Sequence, residues 1–97
     1  MKLSELIKSI DVLQVIGNSD VEVTDIQFDS RRVATGCLFV AQEGTAVDGH
    51  TYIEQCVENG AVAVVLEKEE YIKKNDVCYI LVKNSDEALG KIAHYWY

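Results

Sequence analysis

Residues 37–66 read CLFVAQEGTAVDGHTYIEQCVENGAVAVVL, and this stretch decides the fold. Cys37 to Ala41 has no polar residue on either face, the mark of a strand buried on both sides, and Ala61 to Leu66 has the same character. Between them, Gln42 to Gly49 is a loop with two glycines. Tyr52, Ile53, Cys56 and Val57 then form a helical stripe, which Asp48 can cap and Gly60 can end. Two apolar strands joined by a helix predict a right-handed βαβ crossover between parallel strands.

Working outward, Cys78 to Val82 predicts a further buried strand, and Leu89, Ile92, Ala93 and Trp96 the stripe of a last helix capped by Ser85. The mixed-charge stretch Glu67 to Asp76 reads as a solvated helix or connection. Towards the amino terminus, Leu3, Leu6, Ile7 and Ile10 predict a short helix with Ser4 as its cap. After the turn Gly17 to Asp20, Val21, Val23, Ile26 and Phe28 are strand-like, with a phase slip that a bulge at Thr24 and Asp25 would explain. Val33 to Gly36 is another turn. The expected fold is α/β: a small three-layer domain whose mostly parallel central sheet of about four to five strands is flanked by helices.

A chain of 97 residues is one small domain. Its formal net charge of −7 argues against binding nucleic acid through the phosphate backbone. The apolar run Ala61 to Leu66 falls far short of the ~18 residues that span a bilayer. No membrane association is expected. Glu5, Lys8 and Asp11 interrupt what would be the apolar core of a signal peptide, so the cytoplasm is the expected compartment. Cys37, Cys56 and Cys78 are odd in number and widely separated, and they read as buried reduced thiols rather than as disulfides or metal ligands. The last helix is still in pattern at Tyr97. That suggests a domain cut from a longer protein; a small protein that docks its final aromatics on the sheet is the alternative.

Neither His50 nor His94 has an acidic residue at metal-ligand spacing, and no G-x-x-x-x-G-K-[ST] or G-x-G-x-x-G stretch occurs. Two segments remain, Asp29-Ser30-Arg31-Arg32 and Gly44-Thr45-Ala46-Val47-Asp48-Gly49-His50. Both follow predicted strands, and ligands of open α/β sheets collect beyond the carboxyl ends of strands. The first offers a hydroxyl and two guanidinium groups suited to a phosphorylated ligand. The second offers accessible backbone amides and the start of a helix. A purely structural role stands beside this: Asp29 pairing with an arginine across the turn, the glycines shaping the loop, Asp48 acting only as a cap.

Asp29-Ser30-Arg31, Val33, Gly36, Leu38-Phe39-Val40-Ala41, Gly44, Asp48-Gly49-His50, Tyr52-Ile53 and Gly60 to Val65, taken in order, resemble the amino-terminal domain of the Mur ligases. The resemblance runs from about Leu3 to the end; each motif is weak alone and the ordered set is specific. Leu3-Ser4-Glu5-Leu6, the spacing to Asp29-Ser30-Arg31 and Gly44-Thr45 look most like the MurE type, with the MurF type as alternative. Thr35 and Cys37 stand beside Gly36 where family members often have proline and aspartate, which affects turn rigidity more than ligand contact.

The resemblance implies an ATP-dependent amide ligase of peptidoglycan synthesis, the MurE type adding the third residue, diaminopimelate or lysine, to UDP-N-acetylmuramoyl-L-alanyl-D-glutamate. It implies that this domain anchors the UDP end of that precursor, with Ser30 and Phe28 as contact residues. Thr45, Ala46 and Val47 would line the same ligand, and Arg31 would support the turn. ATP and Mg2+ would be handled by central and carboxy-terminal domains beyond Tyr97, so this chain alone would catalyse nothing and hold no cofactor. A stand-alone nucleotide-binding module and a fold used only for protein contact are the competing readings.

Overall fold

A computed structural model of the chain describes residues 1–44, 47–73 and 75–97. A one-turn helix α1 (Leu3–Leu6) tightens into a 3-10 turn at Ile7–Ser9 and leads to strand β1 (Gln14–Ile16). Strand β2 (Asp25–Gln27), a 3-10 turn at Ser30–Arg32 and strand β3 (Cys37–Val40) follow. A 3-10 turn at Gly49–Tyr52 runs into helix α2 (Ile53–Glu58), then strand β4 (Ala63–Leu66), a 3-10 turn at Glu69–Tyr71, strand β5 (Cys78–Leu81) and helix α3 (Ser85–Trp96).

The five strands among the described residues form one sheet in the order β1-β5-β4-β3-β2. Strands β2 to β5 pair in parallel, with Ile26 opposite Leu38, Phe39 opposite Val64 and Val64 opposite Tyr79. Only β1 runs against its neighbour, with Gln14 opposite Leu81. Side chains alternate between two cores, as the pleat requires. Leu38, Val40, Ala63, Val65, Cys78 and Ile80 face Leu3, Leu6, Ala88 and Ile92 of α1 and α3. Phe39, Val64, Leu66 and Tyr79 face Ile53 and Cys56 of α2. The three-layer α/β expectation and the parallel pairing of β3 with β4 through α2 are therefore observed.

Several local expectations are corrected. Ser4 does not cap α1: Lys2 holds that position without a side-chain bond, and the free N–H groups of Leu3 and Ser4 donate instead to the carbonyls of Val21 and Ser19. Val21 to Phe28 is not one bulged strand. Glu22 bridges to Lys2 and the Val23 N–H donates to the Met1 carbonyl, whereas the Thr24 N–H donates to Gly36, so the phase slip marks a change of partner. The α3 cap is Asn84, in extended geometry with its side chain accepting from the Glu87 N–H, and Ser85 is the first helical residue. Strand β1 has no counterpart in the sequence reading. All three cysteines are buried and unpaired, and burial chiefly, with Cys37 nearby, pushes the Cys56 thiol up to about 11.

Candidate functional site

The parallel strands β2 and β3 end side by side, so the segments that leave them meet at one edge. Past β2, Phe28 projects outward with 62% of its surface exposed. Asp29 then turns the chain by accepting the Arg31 N–H at 3.0 Å. The same carboxylate takes the Arg31 guanidinium in a two-pronged pair, Nε to Oδ1 and Nη2 to Oδ2, each 3.0 Å. The hydrogen bond from the Arg31 side chain holds the Asp29 carboxyl below the usual carboxylate range. Arg31 thus braces the turn, with its fork occupied by Asp29.

Past β3, the chain makes a narrow loop closed by backbone contacts. The Gly44 N–H donates to the Val47 carbonyl at 3.0 Å, Glu43 bridges Asp48, and the Gly49 N–H donates to the Gln42 carbonyl at 2.7 Å. Gly49 is obligatory there, since a Cβ would come within 2.7 Å of the Gln42 oxygen. Asp48 then caps the 3-10 turn that feeds α2, accepting the His50 N–H at 3.0 Å. Its carboxylate also accepts the Lys68 ammonium and the His50 Nδ1. Burial pushes Asp48 upward, and the bonds from Lys68 and from the His50 backbone and ring outweigh it, leaving the group at about 2.

Between the two segments lies a cleft of about 570 Å3. Phe28, Asp29, Ser30 and Arg31 form one wall, and Gln42, Gly44, Val47 and Gly49 the other, with Phe39 below and Tyr52 and Gln55 contributed by α2 and the turn before it. Four of the sequence candidates, Phe28, Ser30, Arg31 and Val47, therefore share one cleft, while Thr45 and Ala46 lie outside the described residues. The structural roles of Asp29, Gly49 and Asp48 are also realised; they build the walls. Sequence reasoning missed Phe39, Gln42, Tyr52 and Gln55 as cleft residues. The helical spacing puts Tyr52 in the buried stripe, yet it is 38% exposed because it ends the 3-10 turn instead of starting an α-helical face. Lys68 and Glu67, which the charge pattern places in a solvated stretch, are half-buried and bonded to Asp48 and to the Ser85 N–H. Among the described residues no group of three His, Cys, Asp or Glu side chains is placed to hold a metal ion. No helix there is long and apolar enough to cross a membrane.

The family described as "Mur ligase family, catalytic domain" matches residues 22–97. The chain belongs to the Mur ligase family. It is 45% identical, over all 97 residues, to the UDP-N-acetylmuramoyl-L-alanyl-D-glutamate–2,6-diaminopimelate ligase of Parabacteroides distasonis, and 43% identical to that of Bacteroides fragilis. Each match covers 20% of the relative, so the chain spans about one fifth of the length of these Mur ligases. Among solved Mur ligases, MurF of Acinetobacter baumannii superposes with a TM-score of 0.79 over 97% of this chain and 20% of that one, at 23% identity. MurF of Thermotoga maritima, in complex with ADP, gives 0.63 over 73% of this chain and 16% of that one, at 32% identity. The likeness at 23% identity establishes the fold.

Proposed function

We propose that residues 1–97 form the amino-terminal, UDP-substrate-binding domain of a MurE-type ligase, which anchors UDP-N-acetylmuramoyl-L-alanyl-D-glutamate during peptidoglycan synthesis in the cytoplasm. The observation that carries this reading is the meeting of Phe28, Ser30 and Arg31 with Val47 and Gly49 in one cleft at the carboxyl edge of the sheet. The relatives quoted above are named for that precursor and for 2,6-diaminopimelate as the residue added, which supports the MurE type over the MurF type.

In this reading the exposed ring of Phe28 offers a flat apolar face to the ligand, and the Ser30 hydroxyl a hydrogen bond. From the opposite side Val47 faces the ligand, and Thr45 and Ala46 are assigned to the same ligand by the family resemblance alone. In this reading ATP and Mg2+ are handled by the central and carboxy-terminal domains, since this chain carries no phosphate-loop sequence. The phosphorylation of the D-glutamate carboxylate and the attack of the incoming amine on the acyl phosphate belong, in this reading, to the central and carboxy-terminal domains. The 97-residue chain contributes grip and register, and catalyses nothing alone.

The test is a calorimetric titration of the chain with UDP-N-acetylmuramoyl-L-alanyl-D-glutamate, with UMP as control and Ser30→Ala in parallel. Saturable binding of the precursor that weakens in the variant is expected. Equal affinity for both proteins would remove Ser30 from the site, and no heat from a folded sample would remove the anchoring role.

A further inference from the structure

The wall of the cleft that Gly44, Val47 and Gly49 form is fastened to the sheet through a side chain that does not line the cleft. His50 is fully buried, covered on one side by the Tyr71 ring at 5.6 Å between centroids. Its Nε2 faces the backbone N–H of Glu67 at 2.9 Å. An N–H directed at that nitrogen requires it to be the acceptor, so the ring proton is assigned to Nδ1. There it donates to Asp48 Oδ1 at 2.8 Å. Asp48 is the residue that pairs with Glu43 across the loop, and its neighbour Gly49 lines the cleft. Glu67 is the first residue after β4, and its carboxylate accepts the Ser85 N–H at 2.7 Å at the start of α3. One imidazole therefore joins the loop after β3 to the end of β4, and through Glu67 to α3.

We propose that His50 is a positioning residue of the cleft: its imidazole, as the Nδ1–H tautomer, holds Asp48, and with it the cleft residue Gly49 and the bridge to Glu43, against the end of β4. Ligand affinity then depends on a ring that never touches the ligand. This rests on the cleft being the ligand site, as argued above, and deepens that reading by naming, beside the Lys68 ammonium on the same carboxylate, a group that sets the position of its wall. A simple space-filling role for the ring would require neither a particular tautomer nor a particular bond.

Two isosteres separate the arms. His50→Asn can place its amide nitrogen where Nδ1 was and keep the bond to Asp48; His50→Gln can reach Glu67 and lose Asp48. In the wild-type chain labelled with 15N-histidine, long-range 1H–15N spectra should show a protonated Nδ1 and a bare Nε2. In His50→Gln the Gly49 amide, which donates to Gln42, should exchange with solvent about tenfold faster or more, the scale of one lost bond to a charged group, while β5 amides keep their wild-type rates. His50→Asn should restore most of that protection, and precursor affinity should follow the same order. An Nε2–H tautomer would overturn the proposal, and so would protection lost equally at Gly49 and in β5. The tautomer measurement needs no variant, so it decides the assignment even if ring replacement unfolds the chain. If wild type fails to bind the precursor while tautomer and exchange behave as stated, the ligand reading fails and the placement of the wall by His50 stands.

Discussion

The backbone of Thr35 fills the space that a side chain on Gly60 would need: a Cβ there would lie 2.6 Å from the Thr35 Cα. Gly60 also has φ +110°, and its carbonyl accepts the Gly36 N–H at 2.9 Å. The turn before β3 and the turn before β4 are thus clamped at the edge of the sheet opposite the cleft.

Replacing Gly60 with alanine adds both left-handed strain and a clash with backbone that cannot swing away, and should cost about 2 kcal/mol or more in urea unfolding. Gly90, in α3, is the contrast, since a Cβ added there would meet nothing within 4 Å. There alanine should stabilise by about 0.5 to 1 kcal/mol, through helix propensity. Similar effects at the two positions would contradict the clamp.

The start of α3 gives a second paired experiment. Asn84 accepts the Glu87 N–H at 3.0 Å, whereas the Ser85 hydroxyl is buried without a protein partner among the described residues. Asn84→Ala should lower stability by about 1 kcal/mol, the usual worth of a cap. Ser85→Ala should leave it unchanged or raise it, because it removes an unsatisfied polar group. A thermal melt of each variant distinguishes them; a larger loss at Ser85 would restore serine as the cap.

These two neighbours also show where the sequence stops being legible. Strands β3, β4 and β5 are readable because burial on both faces leaves continuous apolar runs, and α2 because Asp48 and Gly60 bracket it. Which of Asn84 and Ser85 caps α3 depends on which one adopts the extended backbone, and either residue type can. Strand β1 escapes because Gln14–Ile16 is a three-residue edge strand with two exposed positions, so it carries neither an apolar run nor an alternation. For the cleft, topology alone places the two segments at one edge. The bonds of Asp48 to Lys68 and of Glu67 to Ser85 join residues about twenty positions apart, and only the folded sheet brings them together.

Acid should expose the Asp48 contribution. Its carboxyl stands at about 2, against an ordinary 3.8, so the folded state favours the ionised form. A lowered carboxylate stabilises fully above its unfolded value and loses that stabilisation as the pH falls through its folded one, here from about 4 towards 2. With its side chain 22% exposed, screening trims the effect to about 1 to 2 kcal/mol. Stability of wild type relative to Asp48→Asn should therefore be constant from about pH 7 to 5 and shrink towards pH 2. A difference that holds steady down to pH 2 would mean that the carboxylate is not engaged by Lys68 and His50 as described.

Phe28 separates binding from folding more cleanly than any other cleft residue. A phenyl ring 62% exposed contributes little to the core, and neither apolar cluster includes it. Alanine there should leave the unfolding midpoint nearly unchanged. In the cleft the same ring is the largest exposed apolar surface beside Ser30, so a ligand with a flat aromatic base would lose its stacking partner. The expected loss in precursor affinity is about 1 to 3 kcal/mol, the range seen when an aromatic platform under one base is removed. UMP affinity should fall by the same factor, since both ligands carry the base. Ser30→Ala gives a different signature if its hydroxyl meets the part of the precursor beyond the base, with the precursor weakened more than UMP. Calorimetry of the two variants against the two ligands therefore maps which residue of this wall holds which end, and unchanged affinity of Phe28→Ala for both would place the base elsewhere in the cleft.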